Sequence, residues 1–380
     1  MKGLRRPSAR VVLPVGAALV AGVGLGAAIG WVAGGGSSSG EPDRAAIAAS
    51  GASVAASSLL GVPRRSQDAQ ALAVLRRAAV ARTAIPWSGT QVVTTWTSSG
   101  SVARYVDLSH EPGQGTVARL QATPQDSGDV TYVPDGTGPE TSSTPDGSGP
   151  LALLAATYLL RLQDGQSVAG HTTELVTALR PDGSVAARFW IDRSSGLLLR
   201  RELLDPAGRV THSTAFIEVH AGVAATMPPG RDVASPWASE VAPSEVSLLA
   251  AGGWDCPRHL PGDLTLYDVR RSAATGAAVV HLAYSDGLVS VSVFEERGHL
   301  ARAGLAGYTR ATMAGRTVYT RGSDEVTWAA DGIVYTVVSD TPTDVSAIVA
   351  ALPGEEEPAG AWARIRRGMH RLGSWIDPLG

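Results

Sequence analysis

The sequence predicts an α+β chain, mainly antiparallel β, and three observations carry that reading. Four β-rich segments, Thr172–Arg180, Val185–Ile191, Leu197–Leu204 and Arg209–Val219, are parted only by Pro181-Asp182-Gly183, Ser194-Ser195-Gly196 and Pro206-Ala207-Gly208. Loops this short join antiparallel neighbours, so these segments specify a meander in one curved sheet rather than a parallel α/β core. Further on, Val279–Ser285 and Leu288–Glu295 flank Asp286-Gly287, while Val326–Ala329 and Ile333–Val338 flank Ala330-Asp331-Gly332. Both read as hairpins. Between the two groups a Pro/Ser/Ala-rich stretch, 228–250, divides the 380 residues into two domains of ordinary size.

From the N-terminus, residues 1–10 carry Lys2, Arg5, Arg6 and Arg10 and run into an uncharged apolar stretch from Val11 to about Gly36. That exceeds the apolar part of a cleaved signal and suits a bilayer span of about 20 residues, so residues 1–36 read as a cytoplasmic stub and an uncleaved anchor. Positive charge before the span and a polar segment after it put the N-terminus in the cytoplasm and the bulk of the chain outside. A cleaved signal stays open as the alternative. Gly22, Gly26, Gly30 and Gly34 recur every four residues, which makes either a packing seam for another membrane helix or the glycine-rich span of a GC-rich genome. Residues 37–66, rich in Gly, Ser, Ala and Pro, form a flexible tether.

A helix follows, with Ser66 as N-cap, Asp68 in the first turn, and Leu72, Leu75, Ala79 and Val80 along one face before Pro86. Arg76, Arg77 and Arg82 take its other face. The runs Thr90–Trp96 and Val102–Val106, parted by Ser98-Ser99-Gly100, read as a hairpin, with more strand near 116–122. Residues 123–150 repeat Pro, Asp, Gly and Ser and read as a long mobile loop, of the kind that faces a ligand. In the last domain Val289, Val291 and Val293 alternate with Ser290 and Ser292, which predicts one buried and one wetter face. Thr343 caps a short helix to Leu352.

Composition narrows the function classes. A net charge of −3 creates no basic field for phosphate backbones, so no nucleic-acid partner is expected. Lys2 is the only lysine and asparagine is absent, a bias toward GC-rich codons. Cys256 is the only cysteine, which rules out an internal disulfide and a Cys-rich zinc site; it reads as a small half-buried side chain. Gly36-Ser37-Ser38-Ser39-Gly40 has the letters of a nucleophile elbow but lies in the tether, without the strand and helix that chemistry needs. The eight histidines show no metal-ligand spacing, with His212 and His281 inside strands. Glu295-Glu296, Asp324-Glu325 and Glu355-Glu356-Glu357 read as solvated acids in turns or linkers. No catalytic, metal or cofactor residue is assigned, and no cofactor is expected.

After a linker at 353–360, Trp362, Ile365, Met369, Leu372 and Ile376 recur at spacings of three and four with Arg364, Arg366, Arg367 and Arg371 around them. Residues 361–377 therefore read as a basic amphipathic helix, fit for an anionic membrane surface, a partner groove, or its own domain.

The run from His281 through Ser285-Asp286-Gly287-Leu288 to Val293-Phe294 resembles the signature hairpin of the C-terminal domain of the RseB/MucB family of sigma-E regulators. Gly253-Trp254 with Leu260-Pro261-Gly262 resembles that domain's opening, and Tyr335-Thr336-Val337-Val338 with Thr341-Pro342 its close. Upstream, Trp87-Ser88-Gly89-Thr90, Arg188-Phe189-Trp190-Ile191-Asp192, Gly196 through Glu202 and Phe216 are similar to the family's N-terminal domain. The resemblance covers residues 68–352. It implies an N-terminal domain at 67–228 with the curved sheet and helix of lipoprotein carriers (LolA/LolB type), a linker at 229–250, and a smaller α/β domain at 251–352. It further implies binding to the extracytoplasmic part of a membrane anti-sigma factor, protection of that factor from regulated proteolysis, and release by a lipid-like envelope-stress signal. The chain is thus expected to be a non-catalytic negative regulator of an ECF sigma factor, membrane-anchored in the manner of an actinobacterial variant. A lipid or lipoprotein carrier, using an apolar concave face, is the rival, and a structural envelope protein comes third. No residue is assigned to partner binding, because the family's motifs here describe hairpins rather than contacts.

Overall fold

A computed structural model describes residues 11–12, 64–97, 100–121, 130–133, 149–223, 237–272, 279–300, 305, 307–322, 325–339 and 344–354. Strand β1 (Val11–Val12) pairs parallel with His299–Leu300. The rest of the expected anchor, its glycine seam, most of the 123–150 loop and the basic tail lie outside the described residues. No described helix is long and apolar enough to cross a membrane. The chain divides into two compact units, residues 20–235 with 286–289, and residues 1–19 with 236–285 and 290–380.

The larger unit begins with α1 (Arg64–Ala84), which starts two residues before the expected cap. With the helix starting at Arg64, Asp68 lies beyond the first turn expected for it, and its Oδ1 accepts the backbone N–H of Leu160 at 2.9 Å. The buried face of α1 is Ala71, Val74, Leu75, Ala78 and Ala81, whereas Val80 is 63% exposed. The expected stripe is therefore rotated, because small alanines rather than the larger Val80 let the helix lie close to the sheet. Then come β2 (Trp87–Thr97), β3 (Gly100–Glu111), β4 (Gly115–Leu120), β5 (Val130–Val133), α2 (Pro150–Thr157) and β6 (Leu159–Asp164). The predicted meander follows as β7 (Thr173–Leu179), β8 (Val185–Asp192), β9 (Leu198–Leu204) and β10 (Val210–Ala221). All pair antiparallel in one nine-stranded sheet, ordered β5-β4-β3-β2-β10-β9-β8-β7-β6. β5 lies within the stretch read as loop, while α2 and β6 were not anticipated.

The Trp87-Ser88-Gly89-Thr90 motif has a packing explanation. The Trp87 indole donates to the Arg82 carbonyl of α1 at 2.9 Å and stacks on His110, and Thr90 Oγ1 donates to Asp107 at 2.7 Å. Pairing of β10 with β2 slips between Phe216 and Glu218. That bulge brings the Glu218 carbonyl against Gly89, where an added Cβ would overlap it and lie 3.0 Å from Val219 Cα. Gly89→Ala is expected to cost about 2–4 kcal/mol, since backbone rather than a flexible side chain must move; urea unfolding of the purified chain measures it.

In the smaller unit, β11 (Trp237–Glu240) and α3 (Pro243–Ala251) occupy the stretch expected as linker at 229–250. They precede β12 (His259–Leu260), β13 (Leu264–Ser272), β14 (Val279–Ser285), β15 (Ser290–Arg297) and β16 (His299–Leu300). β17 (Thr309–Met313), β18 (Arg316–Arg321), β19 (Glu325–Ala330), β20 (Ile333–Ser339) and α4 (Val345–Ala351) complete it. The sheet runs β11-β13-β14-β15-β20-β19-β18-β17, with β12 beside β13. The α4 cap is Asp344, whose side chain accepts the Ala347 N–H at 3.1 Å. Ser290 and Ser292 are as buried as the valines between them. The wetter face expected for β15 is thus buried, with Ser292 Oγ 3.0 Å from His281 Nε2 on the neighbouring β14.

Candidate binding sites

Four features of the described residues could bind something. On the larger sheet, α1 lies against the face carrying Val176, Ala178, Ala187, Phe189 and Leu203. The apolar face of these strands is therefore covered by the chain's own helix. On the opposite face, the registers align Trp190, Arg200, Ala215, Val92 and Tyr105 in one row across β8, β9, β10, β2 and β3. Arg200 lies 4.8 Å over the Trp190 ring and pairs with Glu202, which also accepts from Arg188 at 3.3 Å. At the end of this row the β2–β3 hairpin projects, with Val102 and Tyr105 about half exposed.

In the smaller unit, the chain leaves α3 through Gly252 and Gly253 and becomes a strap, Trp254 to Pro257, over the sheet. The left-handed backbone of Gly253 makes that exit (φ +84°). The Asp255 N–H donates to Glu295 Oε2 at 2.9 Å, and the Tyr284 hydroxyl donates to the Pro257 carbonyl at 2.8 Å. Glu295 has no exposed surface, and Oε1 has no partner among the described residues. Burial, reinforced by the Asp255 carboxylate, pushes its pKa up to about 8, so it is a neutral acid at pH 7. Burial likewise raises Glu296 to about 7. Neither is the solvated acid expected from the sequence; charge runs report solvation only where a strand has an open face.

Cys256 is half-buried, as expected. Burial, then the neighbouring Glu295 and Asp255 carboxyls, push its thiol up to about 12, so the thiolate a nucleophile requires is suppressed. Alkylation by iodoacetamide at pH 8 is expected to be on the order of a thousandfold slower in the folded chain than in urea, in proportion to thiolate fraction. Mass spectrometry reads it directly. His212 sits in β10 with Nδ1 3.3 Å from Thr95 Oγ1, and burial, aided by Arg201, lowers its pKa to about 4. His281 stacks on Phe294 at 4.6 Å and falls to about 3, again through burial first and Arg270 second. Both imidazoles are neutral, packed side chains. No group of three or more potential ligands forms a metal site among the described residues.

The fourth feature is a cavity of about 370 Å³ lined by Val241, Leu248, Leu249 and Trp254, with Arg271, Arg297 and Glu245 at its polar side. Sequence reasoning passed over it, noting Trp254 only as part of the domain's opening. The available signal was strand alternation: Glu295 and Arg297 are two apart in β15, and Val280, opposite Glu295, also pairs Arg271. All three therefore share one face.

The MucB/RseB N-terminal domain family model matches residues 90–237. Its match spans β2 to β10 and ends at the first residue of β11. The chain is also 30% identical over 201 residues to the sigma factor AlgU regulatory protein MucB of Pseudomonas aeruginosa. That alignment takes in 52% of this chain and 60% of the relative's length. Among solved structures, MucB in complex with MucA(peri) is 24% identical, covering 76% of this chain and 100% of that one at a TM-score of 0.41. A second crystal structure of MucB is 21% identical over 74% of this chain and 97% of its own, at 0.38.

Proposed function

We propose that the chain is an extracytoplasmic binding protein that negatively regulates an ECF sigma factor. It would hold the extracytoplasmic part of a membrane anti-sigma factor, protect it from regulated proteolysis, and let go on a lipid-like envelope-stress signal. The observation that carries this is the match of residues 90–237 to the MucB/RseB N-terminal domain, supported by the 30% identity over 201 residues to a sigma factor regulatory protein. The geometry is compatible with binding without turnover: Glu295, Glu296, His212, His281 and Cys256 sit in packed strands or in the strap, and the β2–β3 hairpin is exposed at Val102 and Tyr105. The domain layout 67–228 and 251–352 belongs to the proposal.

So does the anchor, with the N-terminus in the cytoplasm and both domains outside. Pairing of β1 with β16 and a cytoplasmic N-terminus exclude each other, because β16 belongs to the smaller unit. Protease shaving of intact cells carrying an N-terminal tag separates them: a protected tag supports the anchor, a digested one the pairing. Pull-down of the co-encoded anti-sigma factor's outer segment by the full chain, and slower cleavage of that segment in its presence, are expected. Co-purified lipid with neither effect would instead favour the carrier.

A further inference from the structure

We propose that the cavity beside α3 receives an acidic side chain, carried next to an apolar one, from the protein partner. This rests on the reading that the chain acts by holding another protein. The cavity, about 370 Å³, is near the lower end for a ligand site and suits one or two side chains. Two arginines face one carboxylate there, Glu245, whose Oε2 already accepts the Ala242 N–H at 3.2 Å. Neither Arg271 nor Arg297 is ion-paired among the described residues, and both are exposed.

Arg297 is held in place, its guanidinium 4.9 Å over the Trp254 ring and one N–H donated to the Gly252 carbonyl. Its other donors stay available in a fixed plane, the geometry that suits a carboxylate. Leu248 stands at the rim, 70% exposed, with Val241, Leu249 and Trp254 buried behind it. An apolar side chain adjacent to the acid would shelter that leucine from water. Glu245 in the wall disfavours a doubly charged phosphate, and the charged lining offers an acyl chain little apolar surface.

The test titrates the full chain with the peptide Ac-Ala-Leu-Asp-Glu-Leu-Ala-NH2 and its amide counterpart Ac-Ala-Leu-Asn-Gln-Leu-Ala-NH2, by calorimetry. The acidic peptide is expected to bind about tenfold more tightly, and Arg271→Glu to remove that preference. Leu248→Asp should weaken the acidic peptide by a similar factor. Both substitutions are at exposed positions, and circular dichroism verifies the fold. Equal affinity for acid and amide, equal affinity of wild type and Arg271→Glu, or decanoate binding as tightly as the acidic peptide would each overturn the proposal. Titration with the anti-sigma factor's outer segment runs in parallel. If wild type and Arg271→Glu bind that segment equally, the cavity is not the contact and the functional reading stands. If wild type does not bind it, that reading fails, and the two peptides still decide what the cavity accepts.

Discussion

Trp328→Ala is expected to remove roughly 3–5 kcal/mol of stability, the range for deleting a buried tryptophan and leaving a cavity. The side chain is 1% exposed in β19, its ring stacked on Tyr335 of β20 at 5.3 Å and 13°. Its indole N–H donates to the Pro353 carbonyl at 2.8 Å, just past the end of α4. The tryptophan therefore ties two strands to the segment that closes the smaller unit. Trp328→Phe keeps the stacked ring but strands the Pro353 carbonyl, and should cost only about 1–2 kcal/mol. Urea titration followed by far-UV circular dichroism measures both. A loss for alanine no larger than for phenylalanine would show that cavity and stacking contribute little there.

Glu295→Gln should change how stability responds to pH. The folded chain holds this proton up to about pH 8, whereas an unfolded glutamate releases it near 4.5. A raised acid pKa means that stability is complete below the lower value, falls as pH rises between the two, and then levels off. The slope is at most about 1.4 kcal/mol per pH unit. Glu296, raised to about 7, acts in the same direction, while His212 and His281, lowered to about 4 and 3, act oppositely below their ordinary 6.5. Comparing wild type with the variant cancels these shared contributions. Between pH 6.5 and 8 the wild type should lose roughly 2 kcal/mol relative to Glu295→Gln, whose amide oxygen still accepts the Asp255 N–H. Parallel stability curves would mean that Glu295 ionises normally beneath the strap.

The β7–β10 meander was legible to within a residue or two because turns are local. Gly183, Gly196 and Gly208 take the left-handed backbone the sequence pattern demands, at φ +85°, +79° and +79°. The Asp286-Gly287 turn follows the same logic, with Asp286 Oδ1 accepting the N–H groups of Leu288 and Val289 at 2.8 and 2.7 Å. The family resemblance drawn upstream rests on residues whose roles are packing: Trp87 under α1 and Gly89 at the bulge. By contrast, β6, α2 and α3 carry weak local signals. Leu154 is the buried side chain of α2 and Leu249 that of α3, so single tertiary contacts rather than a periodic apolar face hold these short helices.

The sequence by itself determined the antiparallel class and the hairpins, because each depends on a few adjacent residues. Tertiary structure alone decided that β15 is central, that Glu295 is a buried neutral acid, and that Arg271 and Arg297 meet Trp254 beside α3. Strand order is set by which hairpin lies against which, through hydrogen bonds between residues distant in the chain. A glutamate's charge and an arginine's partner follow from that order, and no window of neighbouring residues contains it.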